Sequence, residues 1–351
     1  MSMSTPFFVP TVDISPYVSG GTPAQRAEVA RAVDDACRTV GFMQIVGHGV
    51  SEAVVDAMTA ALDAFFAESL EVKKRYVRPK SENRGYTPPK SETLSYTLGV
   101  DPVTRMNDFF EAFNVGVTPA DFPEGGATTS GYPENVWPED IPGFRADVEA
   151  YFAEARRVAR TLTRIFEDAL AVEPGSFGVL TENSLDVLRL NNYALPPGSI
   201  ELGADMTGMG EHTDFGVVTV LWADQVAGLQ VLDSQGGWND VQPADGAFLV
   251  NIGDVMARLT NDQWSSTLHR VKPPIINGTI RRRRSAAYFE DGNPAAIVAP
   301  LPGFVPEGTE AHYGRVTLQE HVEAKIAGLK LIKKTDGAER EAARLRGSAT
   351  A

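Results

Sequence analysis

His212-Thr213-Asp214-Phe215-Gly216 is the stretch from which the rest of the chain can be read. On a β-strand, residues i and i+2 point to the same side. His212 and Asp214 can therefore converge on one ion while Thr213 faces away. The search for a third donor is short, because the chain has five histidines: His48, His212, His269, His312 and His321. Two imidazoles and one carboxylate can occupy one triangular face of an octahedral iron(II) and leave the opposite face open. His269, in a second short β run, completes that set. An isolated HxD tripeptide is common by chance, so the weight falls on its surroundings.

Those surroundings are β-rich. From Asp186 onward, short apolar runs alternate with Gly, Pro and Asp turns, at 187–193, 217–222, 228–232, 238–242, 247–252, 267–272, 279–288 and 296–299. Many short strands at such spacing predict a sandwich or jelly roll rather than a βαβ fold. The first third reads as α/β. A short strand covers 9–14, and a helix over 22–40 carries Val29, Val33, Ala36 and Val40 on one face. A strand covers 41–46, and a second helix starts after an N-cap at Ser51 and runs to about Phe66. Residues 77–105 show little periodicity and read as an irregular excursion. A long helix is expected over 142–171, with Pro142 in its first turn, and an amphipathic helix over 316–334.

Composition excludes several classes of protein. The 351 residues suffice to bury a sizeable core, and 43% hydrophobic with 22% charged residues is ordinary for a soluble globular chain. A net charge of −14 argues against nucleic acid as a partner, since phosphate contacts need a basic footprint. No apolar run approaches the roughly 20 residues that span a bilayer, and Met1 to Pro10 carries no secretory pattern. The single cysteine, Cys37, allows no intramolecular disulfide and fits a reducing, cytoplasmic setting. Walker loop, dinucleotide glycine fingerprint, HExxH and Gly-x-Ser-x-Gly are all missing.

A jelly roll encloses a cavity, and inward positions on its strands recur every second residue. Arg283 and Ser285 then point a guanidinium and a hydroxyl the same way, as Asn191 and Tyr193 point an amide and a phenol. An iron enzyme that consumes a keto diacid needs such a group, because the arginine fork matches a carboxylate. The hairpin signal Ile275-Ile276-Asn277-Gly278-Thr279-Ile280 complicates the parity. Pairing Ile276 with Thr279 sets Ala286 opposite His269 and turns Arg282 and Arg284 inward. A one-residue bulge restores Arg283, and Pro273-Pro274 already interrupts the ladder. The expectation is Arg283 with Ser285.

These features together resemble the iron(II)/2-oxoglutarate-dependent oxygenases, in their isopenicillin N synthase-like branch. The resemblance runs through Val9-Pro10-Thr11-Val12-Asp13, Gly47-His48-Gly49-Val50, Arg84-Gly85-Tyr86 and Leu188 to Tyr193. It is densest over His212 to Gly216, Gly228-Leu229-Gln230-Val231, Asn251-Ile252-Gly253-Asp254, His269-Arg270-Val271 and Arg283-Arg284-Ser285. It implies a mainly β fold: a distorted double-stranded β-helix (jelly roll) core with flanking α-helices and an α/β N-terminal region. It implies iron(II) on His212, Asp214 and His269. It also implies 2-oxoglutarate held at its far carboxylate by Arg283 and Ser285, with Tyr193 assisting and Asn191 nearby. Dioxygen completes the reaction, in which decarboxylation of the keto acid to succinate accompanies hydroxylation, desaturation or ring closure of a small-molecule substrate.

One integrated catalytic domain is expected. Residues 1–120 form the N-terminal region, 121–180 a helical segment, 181–305 the core, and 306–351 the C-terminal helix and tail. Tyr86, Tyr96, Leu195, Trp222 and Phe289 are candidate substrate-pocket residues, although core packing would explain most of them. His48, His312 and His321 read as structural or surface histidines, Cys37 as a core residue, and Asp108 with Glu111 as a solvated edge. Two other functions fit much of the pattern. One is an iron oxidase of the isopenicillin N synthase or ethylene-forming type, which takes no 2-oxoglutarate. The other is a non-catalytic metal-binding jelly roll. Oligomeric state is not encoded in these motifs.

Overall fold

The computed structural model describes residues 7–89, 107–108, 110–122, 132–194, 206–276 and 279–331. Its strands are β1 (Thr11–Asp13), β2 (Phe42–Val46), β3 (Gly85–Thr87), β4 (Asn107–Asp108), β5 (Glu111–Gly116) and β6 (Val187–Tyr193). Next come β7 (Met206–Thr207), β8 (Met209–His212), β9 (Val218–Ala223), β10 (Leu229–Leu232), β11 (Trp238–Asp240) and β12 (Phe248–Ile252). The series ends with β13 (His269–Val271), β14 (Ile275–Ile276), β15 (Thr279–Ile280), β16 (Arg283–Glu290), β17 (Ile297–Val298) and β18 (Val316–Thr317). The α-helices are α1 (Pro23–Thr39), α2 (Glu52–Ala67), α3 (Leu70–Lys74), α4 (Phe144–Ala169), α5 (Gly178–Thr181), α6 (Asp254–Leu259) and α7 (Leu318–Leu331).

Eight strands form the larger sheet in the order β1-β2-β12-β9-β16-β6-β5-β3, and four form a smaller one, β11-β10-β13-β8. Strand alternation gives the large sheet two dissimilar faces. One face carries Met43, Ile45, Phe113, Leu188, Leu190, Val220, Val250, Ala286 and Tyr288. These pack in one cluster with Val33 of α1, Leu62 and Phe65 of α2, and Leu162 and Phe166 of α4. The opposite face carries Phe42, Ala112, Tyr193 and Leu249 against Met209, Leu229, Val231 and Val271 of the small sheet. The space between the two sheets holds the polar side chains described below.

The strands are many but short, whereas α1, α2 and α4 are long. The fold is therefore a mixed α/β one rather than mainly β. Caps behave as their sequences require. Thr22 forms a capping box with Gln25 at the start of α1, and the Ser51 hydroxyl accepts from Val54 N at the start of α2. The long helix α4 starts after Gly143, leaving Pro142 just outside it.

Two expectations change. The run at 279–288 is not one strand. β14 pairs with β15 as a separate hairpin, with Ile276 opposite Thr279; its turn residues Asn277 and Gly278 lie outside the described residues. The chain then breaks at Arg281-Arg282 before β16, which pairs with β6 and β9 and not with β13. Glu111 is the second change. It opens β5, a strand buried along its whole length, so it is no solvated edge. Lys73 Nζ lies 2.8 Å from its carboxylate, and Tyr86 Oη and Asn192 Nδ2 donate to it at 2.6 and 2.9 Å.

Gly41, just before β2, shows how tightly this sheet is joined to its neighbours. Its φ is +73° and a Cβ there would stand 1.9 Å from the Ser265 carbonyl oxygen. Left-handed strain and the overlap act together, so Gly41→Ala is expected to lower unfolding free energy by about 2–4 kcal/mol. Urea unfolding of the variant measures this; a change within about 0.5 kcal/mol would contradict the packing described.

Candidate iron and keto-acid site

His212 ends β8, His269 opens β13, and the two are paired across the small sheet. Asp214 lies two residues beyond the end of β8, so the HxD geometry comes from a strand end followed by irregular chain, not from a continued strand. One nitrogen from each ring and one Asp214 oxygen all lie within 4.8 Å of one another. Asp214 Oδ1 is 3.8 Å from both His212 Nε2 and His269 Nε2.

Each of the three is aimed by a neighbour. His212 Nδ1 is 2.8 Å from the Gly210 carbonyl, and His269 Nδ1 is 3.1 Å from that of Thr267. A carbonyl accepts only from N–H, which puts the proton on Nδ1 and leaves each Nε2 lone pair facing the third ligand. Asp214 Oδ2 accepts from Asn251 Nδ2 at 2.7 Å and from Thr219 Oγ1, leaving Oδ1 toward the imidazoles. The edge of Phe42 meets the His269 ring at 74° and 5.3 Å between centroids. Two imidazoles and a carboxylate are the donor set that iron(II) takes on one face.

The electrostatics agree. Burial pushes His212 down to about 4, and His269 beside it adds to the shift. Burial alone would raise Asp214, but the two imidazoles and the hydrogen bonds from Asn251 and Thr219 outweigh it and hold the carboxyl below its ordinary value. Protons compete with metal only where a ligand is protonated. At His212, therefore, protons compete with iron(II) only as the pH falls toward about 4.

The triad opens on a cavity between the sheets. On its large-sheet wall, Arg189, Asn191 and Tyr193 of β6 and Arg283, Ser285, Ala287 and Phe289 of β16 line the space at every second residue. Arg283 is opposite Tyr193 and Ser285 opposite Asn191. Arg283 is only 2% exposed, yet its Nε and Nη1 have no hydrogen-bond partner among the described residues. Its guanidinium lies 5.2 Å from the centre of the Tyr193 ring. Asn191 Nδ2 donates to Ser285 Oγ at 3.3 Å. Arg282 and Arg284 point elsewhere, and both reach Asp63.

The candidate substrate residues divide. Phe289 lines the cavity, whereas Tyr86 and Trp222 do not: both belong to the helix-side packing of the large sheet. On β9 the inward residues are Thr219 and Leu221, which leaves Trp222 on the far face. Tyr96 and Leu195 lie outside the described residues. Sequence reasoning missed Asn83, Arg189, Phe215 and Asp291, which all line the cavity. Desolvation, with Asp186 and Asp214 adding to it, pushes Asp291 up to about 7. Period-two spacing from Asn191 could have found Arg189; nothing local marks Asn83 or Asp291. The remaining histidines are accounted for. His48 stacks on Phe248 at 4.2 Å, His312 pairs with Asp262 at 2.8 Å, and His321 is buried.

Comparison with known proteins agrees with this geometry. Residues 185–291 match the 2OG-Fe(II) oxygenase superfamily, and residues 9–140 match the family described as non-haem dioxygenase in morphine synthesis N-terminal. The 2-oxoglutarate-Fe(II) type oxidoreductase hxnY of Emericella nidulans is 34% identical, over 89% of this chain and 88% of its own. The chain belongs to the 2OG-Fe(II) oxygenase superfamily. It is an Fe(II)- and 2-oxoglutarate-dependent dioxygenase, and His212, Asp214 and His269 form its facial triad. A crystal structure of a 2OG-Fe(II) oxygenase family protein from Caulobacter crescentus superposes with a TM-score of 0.77 at 27% identity, covering 92% of this chain and 99% of that one. A full-length Neurospora crassa protein, solved in complex with alpha-KG and thymine, shares the fold, with a TM-score of 0.78 at 24% identity over 93% and 98% of the two chains. No helix among the described residues of this oxygenase is long and apolar enough to cross a membrane.

Proposed function

We propose that this oxygenase couples decarboxylation of 2-oxoglutarate, anchored through Arg283, to oxidation of a small molecule bound at the far end of the same cavity. The observation that carries the reading is the Arg283 guanidinium. A buried cation whose Nε and Nη1 meet no partner among the described residues is costly, and a carboxylate is the ligand whose two oxygens match its fork. Ser285 supplies a hydroxyl two residues along the same face, and Asn191 holds that hydroxyl in place. Tyr193 packs a flat ring against the guanidinium, so the fork faces the cavity rather than the sheet.

Strand register separates the two ends of the site. Thr219, which holds Asp214, pairs with Phe289, six residues along β16 from Arg283. The keto acid would thus run along β16 from Arg283 toward the triad. Iron(II) with its chelating keto acid supplies dioxygen activation and the oxidising equivalent. Phe42, Leu221, Leu229 and Val271 add apolar surface to the lining of the cavity. Substrate would then meet Phe289 and Phe215, with the amide of Asn83 and the carboxyl of Asp291 as polar contacts. The binding of thymine by a protein of the same fold supports a small-molecule substrate.

The test is to incubate the iron-loaded protein with 2-oxoglutarate, dioxygen and a panel of small molecules, and to measure succinate. A panel member that raises succinate formation and is itself oxidised in equal amount is the expected result. Oxygen uptake that depends on a panel member but yields no succinate would overturn the reading and point to the 2-oxoglutarate-independent oxidases.

A further inference from the structure

The residue between the two HxD ligands is tied to the C-terminal helix, and the catalytic geometry described so far does not use that tie. Thr213 is 1% exposed. Its Oγ1 donates to Asp254 Oδ2 at 3.3 Å and accepts from Lys325 Nζ, also at 3.3 Å. Lys325 comes from α7, 112 residues away, and its ammonium stands 2.6 Å from Asp254 Oδ2. Both charges are buried, at 5% and 8% side-chain exposure. Asp254 in turn reaches back to the metal loop through its backbone: its N–H donates to the Asp214 carbonyl at 2.9 Å, and the next N–H, of Val255, donates to Gly216 at 3.2 Å. The Lys325 ammonium also lies 5.9 Å from the centre of the Phe215 ring. One turn earlier in α7, His321 is buried as well.

Stability does not explain why this contact is ionic. A buried ion pair is commonly no better for stability than apolar residues of similar volume, because both charges lose their water. An ammonium does offer three directed donors and a carboxylate several acceptor sites, and here those directions are used on Thr213. The segment from His212 to Asp214 is therefore fixed from outside the ligand set.

We propose that Lys325 is a positioning residue for the iron site: through Asp254 and Thr213 it fixes the segment that sets His212 against Asp214, so that docking of α7 governs how tightly iron(II) is held. The proposal rests on the iron triad and not on the keto-acid anchor. Loss of an outer partner of a metal ligand typically costs about 10–100-fold in metal affinity. Lys325→Met keeps the aliphatic stem and removes the charge, and it leaves Asp254 buried and unpaired. The double variant Lys325→Met/Asp254→Asn removes that imbalance and is the one that separates positioning from stability.

Iron(II) dissociation constants, measured anaerobically on the full chain, are set beside thermal melts and hydrogen exchange over residues 210–218. The expected result is that Lys325→Met weakens iron(II) by about tenfold or more. The double variant should recover the melting temperature while its iron(II) affinity stays low and the 210–218 amides exchange faster. Recovery of iron(II) affinity together with melting temperature in the double variant would overturn the proposal, as would unaltered iron(II) binding in either folded variant. Failure of the wild-type protein to bind iron(II) would instead overturn the site assignment itself.

Discussion

His212→Ala, Asp214→Ala and His269→Ala each leave a folded protein that keeps no iron(II) through desalting and forms no succinate from 2-oxoglutarate. The reason is the smallness of the donor set. Three protein atoms hold the ion, and each comes from a separate, independently braced side chain, so none can be replaced by a neighbour moving in. The expected structural costs differ and give an internal check. His212→Ala and His269→Ala remove a ring whose Nδ1 proton went to a carbonyl, Gly210 or Thr267, beside backbone that stays in place. Asp214→Ala also strands Asn251 Nδ2 and Thr219 Oγ1, two buried donors. Leaving buried donors unmet costs about 1–3 kcal/mol each, so this variant melts lowest while remaining folded. Iron content after anaerobic loading, with circular dichroism and a thermal melt, provides the readings. Retained iron and full activity in any one variant would remove that residue from the site.

Arg283→Ala is the second large effect, and its sign differs between binding and stability. Truncating one member of a buried, hydrogen-bonded charge pair commonly costs about 2–5 kcal/mol of binding. At about 1.4 kcal/mol per tenfold, 2-oxoglutarate affinity should fall by roughly 30-fold to several thousand-fold. The ligand-free protein, by contrast, carries in Arg283 a buried cation whose Nε and Nη1 have no partner among the described residues. Removing it relieves that burden, so the melting temperature without ligand should hold or rise. Arg283→Lys should fall between, because an ammonium offers no planar fork. Iron(II) binding should be unchanged in both variants. Direct binding titrations and melts with and without 2-oxoglutarate give all three readings, and equal affinity in wild type and Arg283→Ala would remove the anchor.

The triad was legible in the sequence because imidazoles are few and HxD spacing is local. Arg283 was harder. Parity counted from the Ile275–Ile280 hairpin pointed to Arg282 and Arg284, and it failed because it assumed one unbroken ladder. The break at Arg281-Arg282 resets the count, and β16 takes its facing from β6 and β9. Trp222 was misread for a related reason. Both faces of β9 are apolar, one against helices and one against the cavity, so alternation could not say which side held Thr219 and Leu221. Strand β5 was passed over because Glu111 and Asn114 look like surface residues, and only the partners of Glu111 explain how it is buried. Asn251 and Asp254 lie in a motif that carries the resemblance, but nothing in it names their contacts, and Lys325 has no local signal; each acts through a contact more than 35 residues away in sequence. Fold class was overcounted toward β because the strands were counted by number, while α4 alone is 26 residues long.

All of these effects follow from the proposal that one cavity holds iron(II) on His212, Asp214 and His269 and a keto acid between that iron and Arg283. The decisive experiment is anaerobic titration of the iron(II)-loaded protein with 2-oxoglutarate, followed by visible absorption. A weak charge-transfer band should saturate with added keto acid in the wild-type protein, need far higher concentrations in Arg283→Ala, and never form in His269→Ala. A wild-type protein that holds iron(II) tightly and develops no such band at any 2-oxoglutarate concentration would contradict the shared cavity.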